Sequence, residues 1–304
     1  MPTVFVDSPV SDPVRRKRLY EGELFAFEPK PSSVALCEFA RSMIEEAFGG
    51  IDPRYAQFEM PVERYVEIVA PLKPSFIHHP KTMELLKATV VEFGCDLDRT
   101  YIDVPRLRMV THGGYLTSGV GYAHHPHRDT WYSAPMCQLN WWLPIYEIEL
   151  ESAMAFHPRY WNRPVQNSSG EFNYYEWNAV GRRTAAQQIQ SDTRKQPHAL
   201  EPLELEPEVR LVPPPGGVIQ FSAAQLHSTV PNTSGRARYS IDFRTFHLDD
   251  AAARKGAPNL DSAPTGTSLR DFVRGTDFAP IGKEVVTLYD AGNGVSKGEL
   301  IFRP

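Results

Sequence analysis

GGVIQFSAAQLHSTVPNTSGRARYSIDFR, running from Gly216 to Arg244, is the stretch whose reading decides the fold. Its two glycines turn the chain into VIQF (218–221), a run too short for a helix and rich in the β-branched and aromatic residues that strands favour. Pro231-Asn232 and Ser234-Gly235 are turn dipeptides, each suited to reversing the chain. In the run that follows, Arg236, Arg238, Ser240, Asp242 and Arg244 fall on one face, and Tyr239, Ile241 and Phe243 on the other. That period of two describes a strand with one face in a core. Working outward, RLRMVTH (106–112), GVGYAHH (119–125) and MCQLNWWLPI (136–145) are equally short, β-branched or aromatic, and bounded by turn residues. From Tyr101 onward the chain therefore reads as antiparallel β, and the protein as mainly β.

Before Tyr101 the pattern is helical. Val34, Leu36, Cys37, Ala40, Met43, Ile44 and Phe48 recur at helical spacing between Ser32 and Phe48, with Gly49-Gly50 as the stop. Met83, Leu85, Leu86, Val90, Val91 and Phe93 do the same from Pro80 to Phe93, ended by Gly94. We expect a single domain over 1–304. Its parts are a helical N-terminal portion (1–100), a β core (101–247) with an insertion at about 158–215, and a C-terminal extension (248–304) ending in a VVTLYD strand. The insertion carries Tyr160, Trp161, Phe172, Tyr174, Tyr175 and Trp177, and long insertions of this kind are more often functional than idle. Its aromatics suit either a lid or a small satellite core.

A formal charge of −5 gives no long-range attraction for nucleic acid, and no stretch approaches the apolar length that spans a bilayer. The first 22 residues lack the apolar core of a secretory signal. Three widely spaced cysteines, Cys37, Cys95 and Cys137, suit a reducing compartment. These points lead us to expect a cytoplasmic protein. The basic cluster Arg15, Arg16, Lys17 and Arg18 reads as a solvated turn, the alternative being peripheral contact with an anionic membrane surface.

The chemistry concentrates in HHPHRDTWYSAPMCQLNWWLPI (124–145). In an extended segment His127 and Asp129 share a side while Arg128 points away, so the single spacer is what lets both bind one metal ion. His227 follows the late VIQF strand, and two histidines with one carboxylate form a facial triad. Three coordination positions then stay open, which suits a non-haem Fe(II) that must bind a cosubstrate and dioxygen together. Arg238, eleven residues after His227, and Ser240 two further on can grip one carboxylate, the guanidinium through a charge-assisted fork. His124 and His125 read as outer or surface residues. Arg106, Arg108, Arg236 and Arg244 read as surface or ion-paired, with the gripping of an acidic substrate as the alternative.

HRD at 127–129, ESAMAFHPRYWN at 151–162 and GGVIQFSAAQLHSTVPNTSGRARYS at 216–240 together resemble an Fe(II)/2-oxoglutarate-dependent oxygenase of the phytanoyl-CoA hydroxylase-like branch, over roughly residues 120–245. His157-Pro158 stands where that family usually has Pro-Gly. The resemblance implies a double-stranded β-helix, or jelly roll, flanked by N-terminal helices. It implies that His127, Asp129 and His227 hold the iron and that Arg238 and Ser240 bind the far carboxylate of 2-oxoglutarate, with Thr117, Gln138 and Asn140 as candidates for its remaining contacts. It implies dioxygen as cosubstrate, ascorbate as a reductant, and hydroxylation of a small polar substrate. Asp129, in the position that halogenases leave open for halide, disfavours halogenation. A fainter similarity to bacterial hydroxylases of the lipopolysaccharide sugar Kdo suggests an acidic, carbohydrate-like substrate, which for a Kdo type would be lipid-linked. Two rival readings are a cupin-type metalloenzyme without 2-oxoglutarate and a non-catalytic sugar-binding barrel. Oligomeric state is not legible.

Overall fold

Two short strands open the chain, β1 (Val4–Val6) and β2 (Leu24–Phe27), with helix α1 (Asp12–Tyr20) between them. A computed structural model describes residues 3–182, 184–189 and 191–290. Three helices follow: α2 (Pro31–Phe48), α3 (Val62–Ile77) and α4 (Pro80–Glu92). Each is one-sided. In α2 the buried positions are Leu36, Cys37, Ala40, Ile44 and Phe48, and Gly49 closes the helix at φ 60°, a left-handed conformation that glycine takes at no steric cost. In α3 they are Tyr65, Val66, Val69, Leu72 and Phe76, a stripe that survives Pro71 and Pro74 inside the helix. Those prolines remove ladder hydrogen bonds, and they hide α3 from a reading by periodicity.

The remaining elements are β3 (Thr100–Ile102), β4 (Arg106–Val110), β5 (Leu139–Pro144), β6 (Met154–Phe156), the single turn α5 (Tyr174–Glu176), β7 (Val209–Leu211), β8 (Val218–Ser222), β9 (His227–Thr229), β10 (Arg238–His247), α6 (Leu248–Ala252), β11 (Val273–Arg274) and α7 (Lys283–Thr287). A large sheet runs β1-β2-β8-β5-β10-β3-β11, with β4 also on β10. Strands β3 and β4 lie end to end along one edge of β10, opposite β5, and are separated by Asp103, Val104 and Pro105. Pro105 has no N–H to give a ladder, so the break falls there. A small sheet, β7-β6-β9, faces the large one.

The period of two on β10 sorts the interior into two layers. Tyr239, Ile241 and Phe243, with Trp141 of β5, pack into the core shared with the helices. Trp142, pointing the other way, packs with Phe221, Met154 and Phe156 between the sheets. Fully burying one such side chain contributes about 1.5–3 kcal/mol. The cavity that holds the candidate site opens on this second side.

The chain is thus mainly β with helices, and several sequence expectations need correction. Residues 1–100 are not wholly helical, because β1 and β2 extend the large sheet. GVGYAHH forms no strand: Gly119–Gly121 is a 3-10 turn, and Gly119, at φ 62°, lies so close to the carbonyls of Ala185 and Gln188 that a β-carbon would collide with both. VVTLYD is helical at its start, because Val285 and Val286 are adjacent and both buried, which a one-faced strand does not permit. The basic cluster is not a turn. Pro13 and Asp12 start α1 and Lys17 and Arg18 end it, as the helix dipole favours. Arg15 and Arg16 pair with Asp12, Arg16 also with Asp250, Lys17 with Glu21 and Arg18 with Glu23. Its charge is spent internally. Among the described residues no helix is long and apolar enough to cross a membrane.

Candidate metal centre and its cavity

His127 and His227 meet in an isolated antiparallel bridge, each backbone N–H donating to the other's carbonyl at 2.9 and 3.0 Å. The expected strand through His127 and Asp129 is no longer than this bridge, since a 3-10 turn begins at Asp129 (Asp129–Tyr132). Arg128 still points away, donating to Asp261 and to the carbonyls of Ala224 and Tyr160. The two histidines are oriented alike. His127 Nδ1 lies 2.7 Å from the carbonyl of His125, and His227 Nδ1 2.9 Å from that of Gln225, in each case two residues back. A carbonyl only accepts, so each Nδ1 carries the proton and each Nε2 presents a lone pair.

Asp129 is held in the same way from behind. Its Oδ2 accepts from Gln138 Nε2 at 3.2 Å and Asn140 Nδ2 at 3.0 Å, and lies 3.4 Å from Arg244 Nε. Its Oδ1 is 3.3 Å from His127 Nε2 and 3.8 Å from His227 Nε2. One ligand atom from each of the three residues lies within 4.8 Å of the others, and all three residues are buried. Ligands about 2.1 Å from one ion at right angles sit about 3 Å apart, so the triangle has nearly the size a single first-row ion needs. The donor set and its outer hydrogen bonds fit Fe(II).

The electrostatics agree. Burial would raise the Asp129 carboxyl, but Arg244, His127 and His227 outweigh it and hold it well below the usual carboxylate range. Burial, followed by the neighbouring His127, pushes His227 down to about 3, so its imidazole is neutral and able to ligate at physiological pH. His124, whose ring lies 5.0 Å from that of His127, is likewise depressed by burial and then by His127.

The triad opens into a cavity of about 340 Å³ between the two sheets, within the range of small-molecule sites. Arg238 lines it and is buried. Its Nη1 donates to the Ser152 carbonyl at 3.3 Å, its guanidinium lies over Trp142, and its Nε has no partner among the described residues. Burial lowers its pKa to about 10. Ser240 is fully buried with an equally partnerless hydroxyl, but it does not line the cavity. Gln138 and Asn140 do line it, with their amides turned to Asp129. Thr117 is exposed on the loop after Tyr115 and lies outside the cavity lining. Of the two uses expected of the insertion, the small satellite core is the one observed. Phe172, Tyr174 and Tyr175 form a small core, while Phe172, Tyr174 and Trp177 also wall the cavity.

Arg244, His124 and Lys73 are cavity residues that sequence reasoning left in outer or unassigned roles. For Arg244 the signal was present, since it shares the β10 face with Arg238. For His124 the expected strand alternation pointed it elsewhere. For Lys73 there was no signal without α3.

No protein-family model and no curated protein matches the chain. Similar solved structures include EvdO2 from Micromonospora carbonacea var. aurantiaca complexed with 2-oxoglutarate (14% identity over 61% of this chain and 64% of that one, TM-score 0.35). They also include the epimerase SnoN in complex with Fe3+, alpha ketoglutarate and nogalamycin RO (16% identity, 84% and 98% covered, TM-score 0.40). A third is AviO1 from Streptomyces viridochromogenes Tue57 (13% identity, 83% and 99% covered, TM-score 0.39). The match spans less than two thirds of the EvdO2 chain. At such identities and TM-scores no role transfers from them, and the case for an activity comes from this chain's own residues.

Proposed function

We propose that this chain is an Fe(II)- and 2-oxoglutarate-dependent oxygenase, built as a double-stranded β-helix and hydroxylating a small, polar, acidic substrate. One observation carries the reading: a His-Asp-His face whose outward atoms are all committed shares a cavity with a buried arginine that, among the described residues, has no partner for its Nε and no carboxylate partner. The first half is prepared for a divalent ion. The second is prepared for an anion, and an unpaired buried guanidinium is costly unless a ligand completes it.

In this reading His127, Asp129 and His227 hold the iron, which with dioxygen supplies the oxidation and consumes 2-oxoglutarate to succinate and carbon dioxide. Arg238 binds the far carboxylate of the keto acid, with Ser240 as a further donor. Gln138, Asn140 and Arg244 keep Asp129 turned and ionised. Phe172, Tyr174 and Trp177 restrict water at the mouth. A cupin-type enzyme without 2-oxoglutarate has no use for Arg238 as placed here.

The test is succinate release from purified protein with Fe(II), 2-oxoglutarate and ascorbate under air, across acidic sugars including Kdo, amino acids and acyl thioesters. Products are then weighed for one added oxygen. Substrate-dependent succinate formation that disappears in Arg238→Ala is the expected result. Full activity in that variant would sink the assignment.

A further inference from the structure

Among the described residues seven cationic side chains line the cavity, and the surrounding carboxylates account for all but two of them. Arg106 pairs with Asp103 at 2.5 Å and Arg108 with Asp242 at 2.6 Å. Arg244 is shared among Asp103, Asp129 and Asp242. Arg182 pairs with Asp271 at 3.2 Å, and Arg194 with Asp192 at 2.5 Å. Arg238 and Lys73 have no carboxylate partner among the described residues. The proposed function uses Arg238 and leaves Lys73 without a task.

Lys73 reaches the cavity from α3, on the side where that helix packs against β4, and it is half-buried. Its ammonium donates to the carbonyl of Val120 in the Gly119–Gly121 turn. An ammonium has three N–H donors, so two remain for a ligand. The backbone contact fixes the end of a flexible side chain, which lowers the entropic cost of binding an anion there. Arg108 and Arg194 are its charged neighbours and add to the positive field, while Asp242 opposes them. A cation placed in a cavity without a counter-ion is destabilising unless something anionic visits.

We propose that Lys73 binds an anionic group of the substrate, a carboxylate or a phosphate monoester, beside the Gly119–Gly121 turn and apart from the Arg238 position. This rests on the oxygenase reading for calling the ligand a substrate. The anion site itself rests only on the charge pairing.

The test is calorimetric titration of Mn(II)-loaded protein saturated with 2-oxoglutarate, using acetate and methyl phosphate separately at constant ionic strength and pH 6.5. Wild type is expected to bind at least one probe in the millimolar range, and the tighter probe names the substrate's charged group. Lys73→Met should weaken that binding at least tenfold, Lys73→Arg should retain it, and 2-oxoglutarate affinity should be unchanged in both. Lys73→Gln replaces Lys73→Met if the latter does not fold. Equal probe affinity in wild type and Lys73→Met overturns the proposal, as does a wild type that binds neither probe. A wild type that takes no 2-oxoglutarate overturns the oxygenase reading instead, and the Lys73 comparison is then read on metal-loaded protein alone.

Discussion

Asp129 and Arg238 lie on the same cavity and differ in one respect: the protein completes the first and leaves the second incomplete. Around Asp129, Gln138, Asn140 and Arg244 satisfy the outer oxygen. Around Arg238, the guanidinium Nε and the Ser240 hydroxyl are buried without partners among the described residues. Satisfied polar groups are where stability is invested, and unsatisfied ones are where a ligand has to complete the structure. Mutations in the first region should therefore cost stability and metal together. Mutations in the second should cost only ligand affinity.

The sharpest contrast is at Asp129. Asp129→Ala should abolish stoichiometric Fe(II) binding and reduce succinate formation to background, as measured by metal analysis and turnover. It should also destabilise the metal-free protein by about 1–3 kcal/mol, because buried donors lose their acceptor. An Asp129→Ala protein as stable as wild type would remove the distinction between the two regions. At Arg238 the signs separate. Arg238→Ala should weaken 2-oxoglutarate binding by about a hundredfold, within the 2–5 kcal/mol typical of a buried charge contact, while thermal stability without ligand stays level or rises. A fall in both would make Arg238 structural.

A smaller effect tests the completeness of the Asp129 surroundings. Arg244→Met should cost about 10- to 100-fold in Fe(II) affinity, the usual range for a group that orients a ligand, with 2-oxoglutarate affinity per metal-loaded site unchanged. Titration of each ligand in turn separates the two.

The two regions were unequally legible in the sequence. The face shared by Arg238, Ser240, Asp242 and Arg244 follows from the two-residue period of β10, and the single spacer between His127 and Asp129 is local. Those features needed no tertiary information. The sequence offers Gln138 and Asn140 as candidate cosubstrate contacts but not as partners of Asp129, because the bend that brings them beneath it is a consequence of the 3-10 turn at Asp129–Tyr132 and of β5 pairing with β10. Lys73 was invisible because the prolines flanking it mask the helix that aims it. The strand expected at GVGYAHH failed because Gly119 is used for close approach to the insertion rather than for extension.

The unsatisfied region also predicts a pH dependence. Burial, followed by Arg108, lowers Lys73 to about 7, against Asp242 and with Arg194 adding to the depression. Below that value the ammonium is charged and binds an anion; above it the amine is neutral. Affinity for the anionic probe should therefore be present at pH 6 and fall about tenfold for each pH unit above 7, with a flat profile in Lys73→Arg. A wild-type profile flat from pH 6 to 9 would exclude Lys73 as the titrating contact.

Ser240→Ala is the smallest and most discriminating change. The hydroxyl is fully buried and has no partner among the described residues, so in the ligand-free protein it is a desolvated group without compensation. Removing it should raise unfolding stability by up to about 1 kcal/mol, since an unpartnered buried hydroxyl costs about that much. If Ser240 donates to the keto acid beside Arg238, the same substitution lowers 2-oxoglutarate affinity by about three- to tenfold, the worth of one hydrogen bond to a charged acceptor. The two measurements then move in opposite directions, more stable without ligand and weaker with it, and no structural role for Ser240 produces that pair of signs. Increased stability with unchanged affinity would leave Arg238 as the sole anchor and move the boundary of the unsatisfied region to the cavity wall, where Ser240 already lies just outside the lining.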